Sequence, residues 1–160
     1  MKDMARGWIC PALVVALLLV VATMAYKFLV AGSTGKGEDG RAAIWLEPGE
    51  RTFVLQEMRN FVAGLQLIAD GLSRDDMKSV ASAARTMGMA TAQDAPLALM
   101  GKLPLGFKTL GFGVHREFDI LATDAEHLSG SKHVLAQLSD ILQKCDACHR
   151  SFQVKSATTK

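Results

Sequence analysis

The sequence predicts an all-α protein: an antiparallel up-down-up-down four-helix bundle preceded by one transmembrane helix. Three observations point there. Apolar residues recur at helical spacing in four runs after residue 46. No alternating apolar–polar run of useful length separates them. One apolar segment fills positions 9–31, with Lys27 as its only charge.

The N-terminal segment comes first. At about 1.5 Å per residue, Ile9 to Ala31 is long enough to cross a hydrocarbon core of roughly 30 Å. Lys2 and Arg6 precede it against a single Asp3, so residues 1–8 are expected in the cytoplasm and everything after residue 32 outside. Thr23, Met24 and Ala25 form a tolerable signal-peptide cleavage site. Because the apolar run continues past it, a retained signal-anchor is the better reading; either reading exports the rest of the chain. Cys10, at the membrane edge, lacks the small-residue context of a lipoprotein box and reads as an ordinary membrane cysteine. Net charge is +2 with mixed signs and no basic run, which argues against nucleic acid as a partner.

Residues 32–45 open with the Gly-rich, polar run GSTGKGEDG and read as a flexible tether. The folded domain is expected over 46–155, with 156–160 a tail. Its first stripe is Val54, Met58, Phe61, Leu65, Ile68 and Leu72, spaced 4-3-4-3-4, ending near Gly71. Ser73 and Asp76 are a candidate capping box for a second helix with the stripe Met77, Val80, Ala84, Met87 and Thr91. Residues 93–106 contain Pro96 and Pro104 and predict a longer connection. The third stripe is Val114, Phe118, Leu121, Ala125 and Leu128. Gly130 breaks it, and Ser131 is a candidate cap for the fourth, with Val134, Leu138, Ile141, Cys145, Cys148 and Phe152.

That last stripe carries the chemistry. In KCDACHRSF, Cys145, Cys148 and His149 stand at i, i+3 and i+4 and share one helical face. Structural zinc needs four ligands, and only three are local. A redox Cys-x-x-Cys usually opens a helix after a strand, whereas this pair sits near the end of one. Covalent haem uses all three residues: two thiols add to the two vinyl groups and the imidazole reaches the iron.

Bundle geometry then supplies the other face of the iron. In an up-down-up-down arrangement the start of the first helix lies beside the end of the fourth. Met58, on the core stripe about two turns in, is the candidate second axial ligand, a soft thioether suited to haem iron. Its rivals are Met87, Met89, Met100 and, for bis-histidine ligation, His115. An ordinary core methionine or an open distal site are the bland alternatives. His127 and His133 flank the far turn and read as surface residues. Phe61, Phe112 and Phe152 are candidates for packing on the macrocycle, and Arg51 and Arg59 for pairing with its propionates.

With CDACHRSF near the end of the last helix, LQEMRNFVAGLQLIADGLSRDD in the first, and a longer second connection, the chain resembles the cytochrome c′ and cytochrome c556 family over about residues 46–155. The resemblance implies a left-handed four-helix bundle, often dimeric through its first two helices, with one haem c. It offers two activities: low-spin His/Met members transfer electrons, and high-spin members with an open distal site bind NO or CO. Met58 points to the first. The expected function is a membrane-anchored, single-haem electron carrier of the bacterial inner membrane with its haem domain in the periplasm, working with redox protein partners or a membrane respiratory complex and turning over no substrate. Gas binding, or a role as an accessory haem subunit of such a complex, is the alternative. The chain departs from the pattern at Gln153, where the family often has Arg or Lys four residues after the haem histidine, and in its membrane anchor.

Overall fold

A long exposed helix opens the architecture in this computed structural model, which describes residues 2–127 and 130–157, with side chains from residue 11. Helix α1 (Lys2–Ala25) continues into a π-helical segment, Tyr26–Ala31. Together they contain a stretch, Pro11–Ala31, of mean hydropathy 2.5 that is long and apolar enough to cross a membrane, with nothing packed over its most apolar window. The side chains of Lys2, Arg6 and Cys10 and all of Leu128 lie outside the described residues.

Two strands follow, β1 (Thr34–Lys36) and β2 (Ala42–Leu46), then helices α2 (Pro48–Ser73), α3 (Met77–Arg85), α4 (Met89–Ala92), α5 (Leu97–Lys102), α6 (Leu105–His127) and α7 (Ser131–Ser151), and a last strand, β3 (Phe152–Ser156). The protein is therefore mostly helical, with a small three-stranded sheet in the order β1-β2-β3. β1 and β2 pair antiparallel; β2 and β3 pair parallel, from Ala42 opposite Phe152 to Leu46 opposite Ser156.

The sheet corrects the expected tether. Residues 34–46 form two paired strands, and Ala43, Ile44 and Leu46 are buried. The polar GSTGKGEDG run contributes β1 and the turn, and its apolar successor AAIWL supplies the buried face. Gly32 adopts φ +64, and a Cβ there would collide with Lys102 O and the backbone of Leu103 and Pro104, so this close approach needs glycine. The sheet also corrects the place of Phe152. It follows its predicted stripe in spacing, yet it leaves the helix and begins β3, where Phe152 and Val154 alternate with Gln153 and Lys155.

The helices form where the apolar periods lie. α2 starts with Pro48 in its first turn and a reciprocal capping box between Glu47 and Glu50, whose Oε2 accepts from Glu47 N at 2.8 Å. α3 is capped by Asp76 alone, which accepts from Ser79 N at 3.0 Å. Ser73 Oγ donates to Asp70 O instead of joining a box. Gly130 takes the N-cap position of α7, and the Ser131 hydroxyl donates to the Asp75 carboxylate. The connection 93–106 follows the short α4 turn and contains α5 and the first two residues of α6.

α2 packs on α3, α3 on α6, and α6 on α7. Ile68, Val80, Ala84, Phe118, Leu121, Val134 and Ile141 fill the space between them. A second core of Ile44, Leu46, Val54, Leu99 and Leu103, flanked by Phe53, Phe107 and Phe152, joins the sheet to the first turns of α2 and α6. Burying each of the larger of these side chains, Val, Leu, Ile or Phe, stabilises by roughly 1.5–3 kcal/mol.

Candidate functional site

The stretch Phe53–Leu65 of α2 and the second half of α7 stand on either side of a cavity of about 280 Å³. From α2 come Met58, Phe61 and Leu65, one step each along the helical stripe that predicts them. From α7 come Lys144, Cys145, Cys148 and His149. The connection and α6 supply the rest, among them Met100, Phe107, Phe112 and His115. The walls are mostly apolar, as ligand sites are. A second concavity along Pro11, Val15 and Leu19 is a shallow groove on the bare apolar helix, with no group for chemistry.

Helical spacing explains the α7 wall. Ile141 is buried in the core beside Val134 and Leu138, and Cys145 and Cys148 continue that row, half-buried, where the core gives way to the cavity. Both are free thiols. Burial pushes both above the ordinary thiol range, and the neighbouring Cys145 adds to the effect at Cys148. They also lie toward the negative end of the α7 dipole, which disfavours a thiolate. A redox Cys-x-x-Cys needs the opposite, a thiol activated at low pKa.

The end of α7 is held by strands far away in sequence. Arg41, just before β2, donates from Nη1 to the backbone oxygens of His149 at 3.1 Å and Phe152 at 3.4 Å, and pairs with Asp39 at 2.6 Å. Gln153 Nε2 donates to Asp39 Oδ1 at 2.6 Å, so this residue serves the sheet. A guanidinium at the last carbonyls of a helix complements both their unpaired oxygens and the dipole.

Across the cavity, His115 is buried and hydrogen-bonded. Its Nδ1 lies 2.8 Å from Met87 O. A carbonyl only accepts, so Nδ1 carries the proton, and in the neutral ring Nε2 carries the lone pair. Phe61 lies against it with ring centroids 5.0 Å apart, and stacks on Phe118 at 5.8 Å.

The structure thus brings Met58, Phe61, Phe112, Cys145, Cys148 and His149 to one cavity. It puts three other candidates elsewhere. Phe152 packs edge-on against Phe107, centroids 5.6 Å apart, in the second core. Arg59 points outward to Gln56 Oε1, 2.9 Å away. Arg51 does not line the cavity. Arg59 sits one position past Met58, off the apolar stripe, so the helix turns it away. Arg51 is in register with the stripe but lies before its first apolar residue, outside the cavity lining. Among the rivals of Met58, Met100 and His115 line the cavity; Met87 is sealed in the main core and Met89 lies outside the lining.

The sequence left two cations unmentioned. Lys108 and Lys144 both line the cavity. Lys144 pairs with Glu117, whose Oε2 is buried with no hydrogen-bond partner among the described residues. Adjacency to Cys145 could have singled out Lys144; nothing local marks Lys108.

Among the described residues, no three His, Cys, Asp or Glu side chains converge to hold a metal ion. Compared with protein-family models, with curated proteins and with solved structures, the chain matches none.

Proposed function

We propose that the chain is a membrane-anchored, single-haem c-type cytochrome that carries electrons. One observation carries the reading: Met58 and the Cys145–Cys148–His149 face, 87 residues apart, line the same largely apolar cavity. In this reading α2, α3, α6 and α7 are an up-down-up-down four-helix bundle, supported by the packing of each on the next.

The residues suit the group chemically. Thioether formation consumes neutral thiols at carbon, so desolvated thiols on the wall are compatible with it, and it asks for no cluster of metal ligands. Haem c supplies one-electron chemistry at its iron. Cys145 and Cys148 would hold it to α7, and His149 and Met58 would ligate its iron. A Met thioether favours the ferrous state and raises the potential. Phe61 and Phe112 contribute apolar wall that excludes water. Lys108 and Lys144, rather than Arg51 and Arg59, are the cations that line the cavity. Each is already engaged, Lys108 by the Leu29 carbonyl and Lys144 by Glu117, and would have to turn from these partners to meet the propionates.

Pro11–Ala31 would hold the domain to the bacterial inner membrane, with the haem domain in the periplasm, where redox proteins or a membrane respiratory complex would be its partners; a homodimer through α2 and α3 follows from the family resemblance. The absorption spectrum tests the reading. The expected result is a low-spin spectrum that CO leaves unchanged, and Met58→Ala converts it to a high-spin, CO-responsive one. A wild-type spectrum that is already high-spin and shifts with CO overturns the Met58 assignment in favour of gas binding. A wild-type protein without covalent haem overturns the whole reading.

A further inference from the structure

We infer that the cavity-bearing end of the domain rests on the lipid surface, with Leu97 and Leu105 embedded in the interfacial layer of the bilayer beside the anchor. The inference rests on Pro11–Ala31 spanning the membrane.

The anchor and the domain are joined by contacts, with no slack chain between them. Gly32 N donates to Lys27 O at 2.9 Å, closing the π-helical segment, and Ser33 N donates to Lys102 O at 2.7 Å. Lys108 Nζ donates to Leu29 O at 3.0 Å, satisfying a carbonyl at the end of the apolar helix. The Phe28 ring comes within 3.3 Å of the Cβ position of Gly101. α5 and α6 therefore both pack on Tyr26–Ala31. Lys108 and Met100 also line the cavity, so that wall lies within one lysine side chain of the membrane-spanning segment.

Two apolar side chains flank this junction. Leu97 precedes Gly101 by four residues in α5, and Leu105 precedes Lys108 by three in α6. Each shares a helical face with a residue that touches the anchor. Leu97 is 90% exposed and Leu105 51%. Singly exposed leucines are ordinary on a water-facing surface, and Val62 and Leu135 are other exposed apolar side chains. What sets Leu97 and Leu105 apart is their place beside the apolar span, where an exposed apolar side chain enters the interfacial layer. The end of the span has the side chains typical of that depth: exposed Tyr26 and Phe28, with Lys27 between them. The occupant of the Leu97–Leu105 surface is thus set by continuity with the span, and it is lipid.

The test uses the full-length chain in the membrane of the expressing cell. A photoreactive p-benzoylphenylalanine is placed singly at position Val20, Leu97, Leu105 or Lys132, and the products of illumination are read by mass spectrometry. Phospholipid adducts are expected at 20, 97 and 105 and not at 132, which lies at the start of α7. Adducts at 20 without adducts at 97 and 105 overturn the lipid contact and leave the anchor intact. Cross-links from 97 and 105 to another protein overturn it in favour of a protein partner. No adduct at 20 overturns the anchor, and the inference with it.

Discussion

Arg41 Nη1 donates to the backbone oxygen of His149 at 3.1 Å, so a residue 108 positions earlier holds the end of the helix that carries Cys145 and Cys148. The same guanidinium reaches Phe152 O and the Asp39 carboxylate, tying the β1–β2 turn, the start of β3 and the end of α7 into one corner. The haem-bearing end of α7 in the proposed reading is therefore a pinned end rather than a fraying one.

Arg41→Ala removes that pin. The loss should be about 0.5–1.5 kcal/mol, the net worth of a hydrogen bond at a partly exposed site. Thermal unfolding should show a lower midpoint, and amide exchange should quicken at residues 149–152 with little change in α3. Uniform quickening across both segments would contradict a local pin.

His115 separates stability from ligation. His115→Phe leaves Met87 O without its buried donor and should cost about 1–3 kcal/mol in denaturant unfolding. His115→Gln keeps an N–H for that carbonyl and should recover part of the loss. With Met58 as the iron ligand, both variants keep the low-spin spectrum; a high-spin spectrum in both would transfer the ligand role to His115.

Glu50 makes part of the stability depend on pH. Burial raises its pKa, but the ammonium of Lys102 at 2.8 Å and the Glu47 N–H outweigh it, and the net shift is downward. A carboxylate whose folded pKa is depressed adds stability above its unfolded pKa, and that increment disappears as pH falls through the folded value. Wild type should therefore lose stability on acidification from about pH 5 downward. Glu50→Gln should be less stable at neutral pH and flatter through the acid range, as read from urea midpoints. An unchanged acid slope would remove Glu50 from the account.

Much of the site is legible in the sequence because helices are local. Met58, Phe61 and Leu65 follow one another at helical spacing, and so do Cys145, Cys148 and His149; each trio's shared face needs only the helix period. Helix ends are less legible. Asp76 caps α3 without Ser73, since Ser73 Oγ finds Asp70 O within its own last turn. The short stretches AAIWL and FQVKS carry too few alternations to announce strands, and Phe152 extends the helical spacing of Cys145 and Cys148 as well as it alternates with Val154.

The sequence by itself determined the apolar N-terminal helix, the long amphipathic helices and which residues share a face on each, because these depend on neighbours within a few positions. The tertiary structure alone decided that Ala42–Leu46 pairs with Phe152–Ser156, that Arg41 closes the end of α7, that Lys108 joins the cavity to the end of the apolar helix, and that Met58 and His149 line one space. The physical reason is separation along the chain. A strand's partner and a cavity's opposite wall are chosen by what packing brings near, and no local period records it.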